Sequence, residues 1–343
     1  RLGIKRRSWE EARFREWIPE IDEHHPELVP PAEEVLGAIV EFRQWLEGEL
    51  PALSGPSGIG IDNYNWLLEN VYLFPYTWEE SVLLCQRELE RSLAMFKLEE
   101  HKNRNLPPLE LPATEEEFQD RQREASQRLI RFIRENEILP QPDLIEIAEP
   151  GGYDRTEGRS FFTQVTDRDP LALGPHNMVG HYPDAIRIRE WSQRPIPRGY
   201  DPYYLSGFRS EGLATGMEEI LMHLGMMEDR PRTRELVYLL RHFRAVRALA
   251  DLKMHSNELS LEEAMDYAMA QVPFGWYNRE TYLIWEEMDL YLRAPGYGIS
   301  YLVGALQLEE LMAERALELG EAFDLEEFMG QFLEAGLIPM ELI

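Results

Sequence analysis

The sequence predicts a mainly α-helical fold interrupted by one small β-hairpin. Three observations carry this. Apolar residues recur at helical spacing nearly throughout, four capping boxes mark helix starts, and a single short region reads as β. The 343 residues are 44% hydrophobic and 29% charged, with 14 Phe, 15 Tyr and 8 Trp, the composition of a folded globular protein.

The elements follow in order. Helices are expected at about 31–49 and 62–70. Thr77 with Glu80 opens a helix to about His101, through Val82, Leu83, Leu89, Leu93 and Phe96. Thr114 with Glu117 opens another to about Glu135, with Phe118, Leu129, Ile130 and Ile133 inward. In each box a short side chain accepts from an early helical N–H and the Glu three residues on reaches back. Residues 144–148 (LIEIA) and 160–166 (SFFTQVT) read as two strands around the turn-rich EPGGYDRTEGR. Helices resume at about 209–225, 231–256, 261–271, 279–292, 299–319 and 325–335. Ser260 with Glu263 and Asp324 with Glu327 cap two of them. Pro- and Gly-rich segments at 53–60, 105–112 and 194–202 punctuate the pattern. An N-terminal helical part at 1–112 and a C-terminal helical part at 113–343 are expected, packed as one unit.

Charge and cysteine content narrow the function classes. The formal net charge is −28, spread along the chain, which repels a phosphate backbone and an anionic bilayer. Nucleic-acid and membrane partners are therefore not expected, and no run of about 18 apolar residues suggests a transmembrane helix. Cys85 is the lone cysteine, so neither an intrachain disulfide nor a thiolate cluster can form. The opening RLGIKRRSWEE shows no apolar signal-peptide core, and a cytoplasmic location is the expectation. The sequence leaves homo-oligomerisation open.

The chain has eight His as candidate imidazole ligands. None has a Glu three residues earlier, which disfavours a di-iron bundle, and H-E-x-x-H is absent. GPHNMVGHYPDA at 174–185 remains. His176 and His181 are five apart, so on a regular α-helix they diverge by about 140°. They converge only on an irregular backbone, for which Gly180 gives an opportunity. Glu211 and Glu218 share one helix face, with Gly212 and Gly216 allowing close approach. Arg247, Asp251 and His255 are spaced i, i+4, i+8 and could be no more than a salt-bridge ladder.

At these clusters the chain resembles the bacterial DUF885 family, whose fold is similar to that of the M32 zinc carboxypeptidases. PGYGISYLVG at 295–304, FDLEEFM at 323–329 and GLIPM at 336–340 are similar to the family's closing motifs. EGLATGME at 211–218 resembles its E-G-W-A-L-Y-x-E, and Arg247, Asp251 and His255 its R-x-x-x-D-x-x-x-H. The metal motif H-E-x-x-P-G-H-H is matched only loosely by HNMVGHY at 176–182, where Asn177 falls on the catalytic Glu when one residue is deleted. The resemblance implies a multi-helix metallopeptidase-like fold. It implies His176, His181 and Glu211 as ligands of a divalent metal, zinc by choice of donors, and Glu218, His255 and Tyr301 as catalytic residues. Arg247, Asp251 and Asn177 become the substrate-binding candidates. Glu218, Asp184 and His255 are the candidates to replace the missing base.

Loss of that Glu removes the group that takes a proton from water in a zinc peptidase. The expectation is therefore a metal-dependent enzyme acting on a small molecule by specialised hydrolytic, lyase or dehydratase-type chemistry. The alternatives are a catalytically inactive ligand-binding or regulatory protein on the same fold, and a helical scaffold.

Overall fold

Helix starts in the computed structural model follow the caps. The structure describes residues 1–140, 153, 155, 158–187 and 205–343. Thr77 and Ser260 form complete capping boxes with Glu80 and Glu263. Thr114 and Asp324 accept from the N–H groups of Glu117 and Glu327. The Glu117 side chain reaches instead to the Ala113 N–H, one residue further out.

The chain divides into two units, Arg1–Pro56 and Ser57–Ile343. In the first, α1 (Leu2–His24) packs on α2 (Val29–Glu49), burying Ile21, Ala32 and Ile39. Helix α1 is absent from the sequence expectation because its surface is polar nearly all round.

The second unit holds α3 (Ile61–Asn70), α4 (Trp78–Lys102), α5 (Glu115–Glu135), α6 (Phe161–Arg168) and a π-helix at Pro175–His181. After them come α7 (Tyr182–Ile186), α8 (Gly207–His223), α9 (Pro231–His255), α10 (Leu261–Gln271), α11 (Leu283–Arg293), α12 (Tyr297–Leu319) and α13 (Leu325–Ala335). Leu89, Phe96, Phe118, Leu129, Ile130 and Ile133 are buried as expected, whereas Leu83 and Leu93 are exposed.

The expected β-hairpin is corrected. No strand occurs among the described residues, and 161–166 lies in α6 with Ser160 as its N-cap. Phe161, Thr163 and Val165 alternate like a strand, but Phe161 and Val165 are also one helical turn apart. Both are buried, and the Ser160 side chain caps the turn at the Thr163 N–H. The partner strand at 144–148 lies outside the described residues.

Helix α9 is the axis of this unit and is buried almost all round, packing on α4 and α12. It carries three buried arginines three residues apart, each matched by a carboxylate from another helix. Arg241 bonds Glu88 of α4 at 3.1 Å, Arg244 bonds Glu218 of α8, and Arg247 bonds Glu287 of α11. Unpaired, each such charge would cost several kcal/mol. Helix α12 packs in turn on α8, and α8 on the π-helix. Two glycines make the α8–α12 approach possible. A Cβ on Gly304 would lie 2.0 Å from the Phe208 carbonyl oxygen, and one on Gly212 would lie 2.4 Å from the Gly304 carbonyl carbon. No helix among the described residues is long and apolar enough to cross a membrane.

Candidate metal centre

The divergence expected of His176 and His181 on a regular helix is removed by the π-helix. Its i→i+5 hydrogen bonds, such as Tyr182 N–H to Asn177 C=O, widen each turn so that residues five apart come to one face. The rings stand nearly perpendicular with centroids 4.7 Å apart. Gly180 serves a purpose other than the one read from sequence. It docks the π-helix on α8, where a Cβ would lie 2.3 Å from Ala214 Cα.

Docking brings Glu211 to both imidazoles. Its Oε2 lies 3.2 Å from His181 Nε2 and 3.6 Å from His176 Nε2. One donor atom from each of the three residues falls within 4.8 Å of the others. Two imidazole nitrogens and a carboxylate oxygen form a donor set that zinc accepts, with a further position left for water or substrate.

A second ring of side chains holds these three. Glu211 Oε1 accepts from the Tyr297 hydroxyl at 3.1 Å, and His181 Nδ1 lies 3.4 Å from Ser210 Oγ. His176 Nδ1 lies 3.1 Å from Glu218 Oε1 and 3.2 Å from Arg244 Nη2. Those two neighbours demand opposite tautomers. Arg244 can only donate to a bare Nδ1, and Glu218 can only accept from Nδ1–H. Burial pushes the His176 imidazole below the ordinary His range, Arg244 adding to this and Glu218 opposing it. A neutral ring is the form that can bind a metal.

Tyr301 stacks 6.4 Å from His176 and under the Arg247 guanidinium at 4.8 Å. Burial, with Glu211 nearby, holds its hydroxyl well above the usual Tyr range. It is therefore a protonated donor at neutral pH.

The remaining sequence candidates lie elsewhere or are already engaged. Both Glu218 oxygens accept from Arg244, at 2.5 and 2.7 Å. Asp184 is buried and paired with Arg209. Asn177 is exposed. Asp251 and His255 form a separate buried cluster. Asp251 Oδ2 accepts from the Gly298 N–H at 2.9 Å and the Tyr64 hydroxyl at 3.4 Å. His255 Nε2 donates to the Tyr291 carbonyl at 2.9 Å. Burial raises the Asp251 carboxyl to about 8 and lowers the His255 imidazole. Arg244 and Tyr297 were missed by the sequence reading. The signal for Arg244 is an Arg repeated every third residue inside an apolar helix.

Fold and site together define a mainly α-helical protein in which two His of a π-turn face a Glu of α8. Residues 191–343 match a family described as a bacterial protein of unknown function (DUF885), which bears out the sequence resemblance over that region. Two solved structures are similar over most of the chain. One is "the putative lipoprotein from Colwellia psychrerythraea", at 18% identity and TM-score 0.70, covering 97% of this chain and 64% of that one. The other is "a putative lipoprotein of unknown function from Shewanella oneidensis", at 16% identity and TM-score 0.67, covering 92% of this chain and 64% of that one. At these identities the likeness establishes the fold, and the chain spans less than two thirds of either structure's length. No curated protein matches. The cytoplasmic expectation is corrected, because each of these two structures carries the description "putative lipoprotein".

Proposed function

We propose that the chain is a metal-dependent enzyme in which His176, His181 and Glu211 hold a divalent cation, zinc by donor type, and that its substrate is a small molecule. The observation supporting this is the convergence of three donors from two helices, with His181 and Glu211 thirty residues apart in sequence. The second ring fits the reading. Tyr297 engages Glu211 Oε1 and so orients Oε2 toward both imidazoles, while Glu218 offers an acceptor for His176 Nδ1–H. When bound, the ion supplies Lewis acidity toward a substrate oxygen. Tyr301 holds its proton and can donate to an oxygen on which charge develops.

A conventional peptidase is disfavoured by the carboxylates. Asn177 cannot take a proton at neutral pH, and Glu218 and Asp184 are each committed to an arginine. A general base typically contributes about 10²–10⁴-fold. Specialised hydrolytic, lyase or dehydratase-type chemistry is consistent with that loss. The second reading, a ligand-binding protein without turnover, rests on the same loss.

The test is to assay unblocked peptides, aminoacyl amides and small hydroxy acids with zinc, manganese and cobalt supplied separately. Turnover of a small substrate that disappears with chelator and in Glu211→Gln supports the proposal. Efficient peptide hydrolysis that survives Asn177→Ala means that another base is at work and removes the preference for specialised chemistry. Stabilisation of the protein by a ligand without any turnover transfers the assignment to the binding reading.

A further inference from the structure

Tyr297 is the first residue of α12, and its hydroxyl is held to Glu211 Oε1 across 86 positions of sequence. A carboxylate facing two imidazoles can turn either oxygen, or both, toward them. The hydrogen bond at Oε1 leaves Oε2 as the atom that approaches His176 and His181. The start of α12 is itself tied down. Asp251 of α9 accepts from the Gly298 N–H, the residue after Tyr297, at 2.9 Å. Space there is filled, for a Cβ on Gly298 would lie 2.7 Å from Asp251 Cβ. His255, one turn along α9, donates to the carbonyl of Tyr291 at the end of α11, just before α12 begins. The Asp251–His255 cluster thus grips both sides of the 294–296 turn, and Tyr297 is the residue through which that grip reaches the donor set.

We infer that Tyr297 is the positioning residue of the candidate metal centre, that it holds Glu211 in a single-oxygen orientation, and that the contact between Asp251 and Gly298 sets metal affinity through it. The inference rests on the metal reading above. It gives Asp251 and His255 a purpose without requiring either to touch substrate.

A double-mutant cycle on cation affinity tests it, with zinc and cobalt titrated into metal-free protein lacking a His tag. Tyr297→Phe keeps the ring and removes the hydroxyl, and is expected to weaken binding about 10-fold, within the range for outer-shell partners. Its cobalt absorption spectrum should change as the freed carboxylate oxygen turns toward the ion. Gly298→Ala displaces the helix start and is expected to weaken binding to a similar extent. The double variant should lose no more than the worse single variant, since both act through one hydrogen bond. Additive losses overturn the coupling, and wild-type affinity with an unchanged cobalt spectrum in Tyr297→Phe overturns the positioning role. Should the wild type bind neither ion, the metal reading itself fails and takes this inference with it. Should Gly298→Ala not fold, the truncation Asp251→Ala replaces it in the cycle with the same expected outcome.

Discussion

Two histidine–carboxylate clusters lie in the second unit, and they differ in what their polar atoms meet. In the cluster of His176, His181 and Glu211, the atoms nearest one another are two imidazole nitrogens and a carboxylate oxygen, at 3.2 and 3.6 Å. In the cluster of Asp251 and His255, the two nearest partners are backbone, the Gly298 N–H and the Tyr291 carbonyl at 2.9 Å, while the Tyr64 hydroxyl and the contact between the two residues themselves are longer, at 3.4 Å. The first gathers side-chain donors from two helices around a common point. The second spends its side chains on helix ends and loop backbone, as a fold does when it fastens a turn. Spacing alone favoured neither as a metal site, since His176 and His181 diverge on a regular helix and Arg247, Asp251 and His255 fit a salt-bridge ladder. What separates them is the partner of each polar atom.

Removing one member of a buried charge pair should have the largest effect. Arg244→Ala leaves Glu218 buried without its guanidinium and is expected to cost about 3–5 kcal/mol of unfolding free energy, read by denaturant titration. Replacing the pair together, Glu218→Leu with Arg244→Met, should recover most of that loss. A double variant no more stable than Arg244→Ala would mean that the pair is needed as an ion pair.

Next in size is the approach of the π-helix to α8. Gly180→Ala places a methyl against Ala214 and is expected to cost about 1–3 kcal/mol through overpacking. It should also weaken cation binding, because His181 moves with the segment. A variant that is destabilised yet binds zinc as the wild type does would detach the donor cluster from this packing.

A pH dependence belongs to the second cluster. The Asp251 carboxyl is raised from 3.8 to about 8, chiefly by burial, so the folded chain keeps this proton longer than the unfolded chain. Its contribution is full below about pH 4 and is lost as pH rises toward about 8. Asp251→Asn cannot titrate there. The stability of the wild type relative to Asp251→Asn should therefore fall across that window and level off above it. A flat difference would show that Asp251 is already ionised in the folded protein.

Much of the fold was legible because caps and apolar spacing are local. Thr77 and Ser260 announce their helices without reference to tertiary contacts, and the starts of α4, α5, α9, α10 and α13 fall within about two residues of expectation. What was not legible depends on distant partners. Phe161 and Val165 satisfy both a strand and a helix pattern, and only the Ser160 cap with the packing around α6 decides. The π-turn has no spacing signature of its own, so two His five apart looked divergent on a regular helix. The three proposed ligands were nonetheless named from sequence, through the family resemblance and not through periodicity. Tyr297 was passed over because its partner, Glu211, lies on another helix.

Calorimetric titration of zinc into metal-free protein lacking a His tag, beside His181→Ala, tests the central claim most directly. His181 is partly exposed, so the variant should fold normally. The wild-type chain should bind one zinc, and the variant should lose at least 100-fold in affinity, about 2.7 kcal/mol. Stoichiometric binding that His181→Ala leaves unchanged, or no binding by the wild type, would contradict the claim.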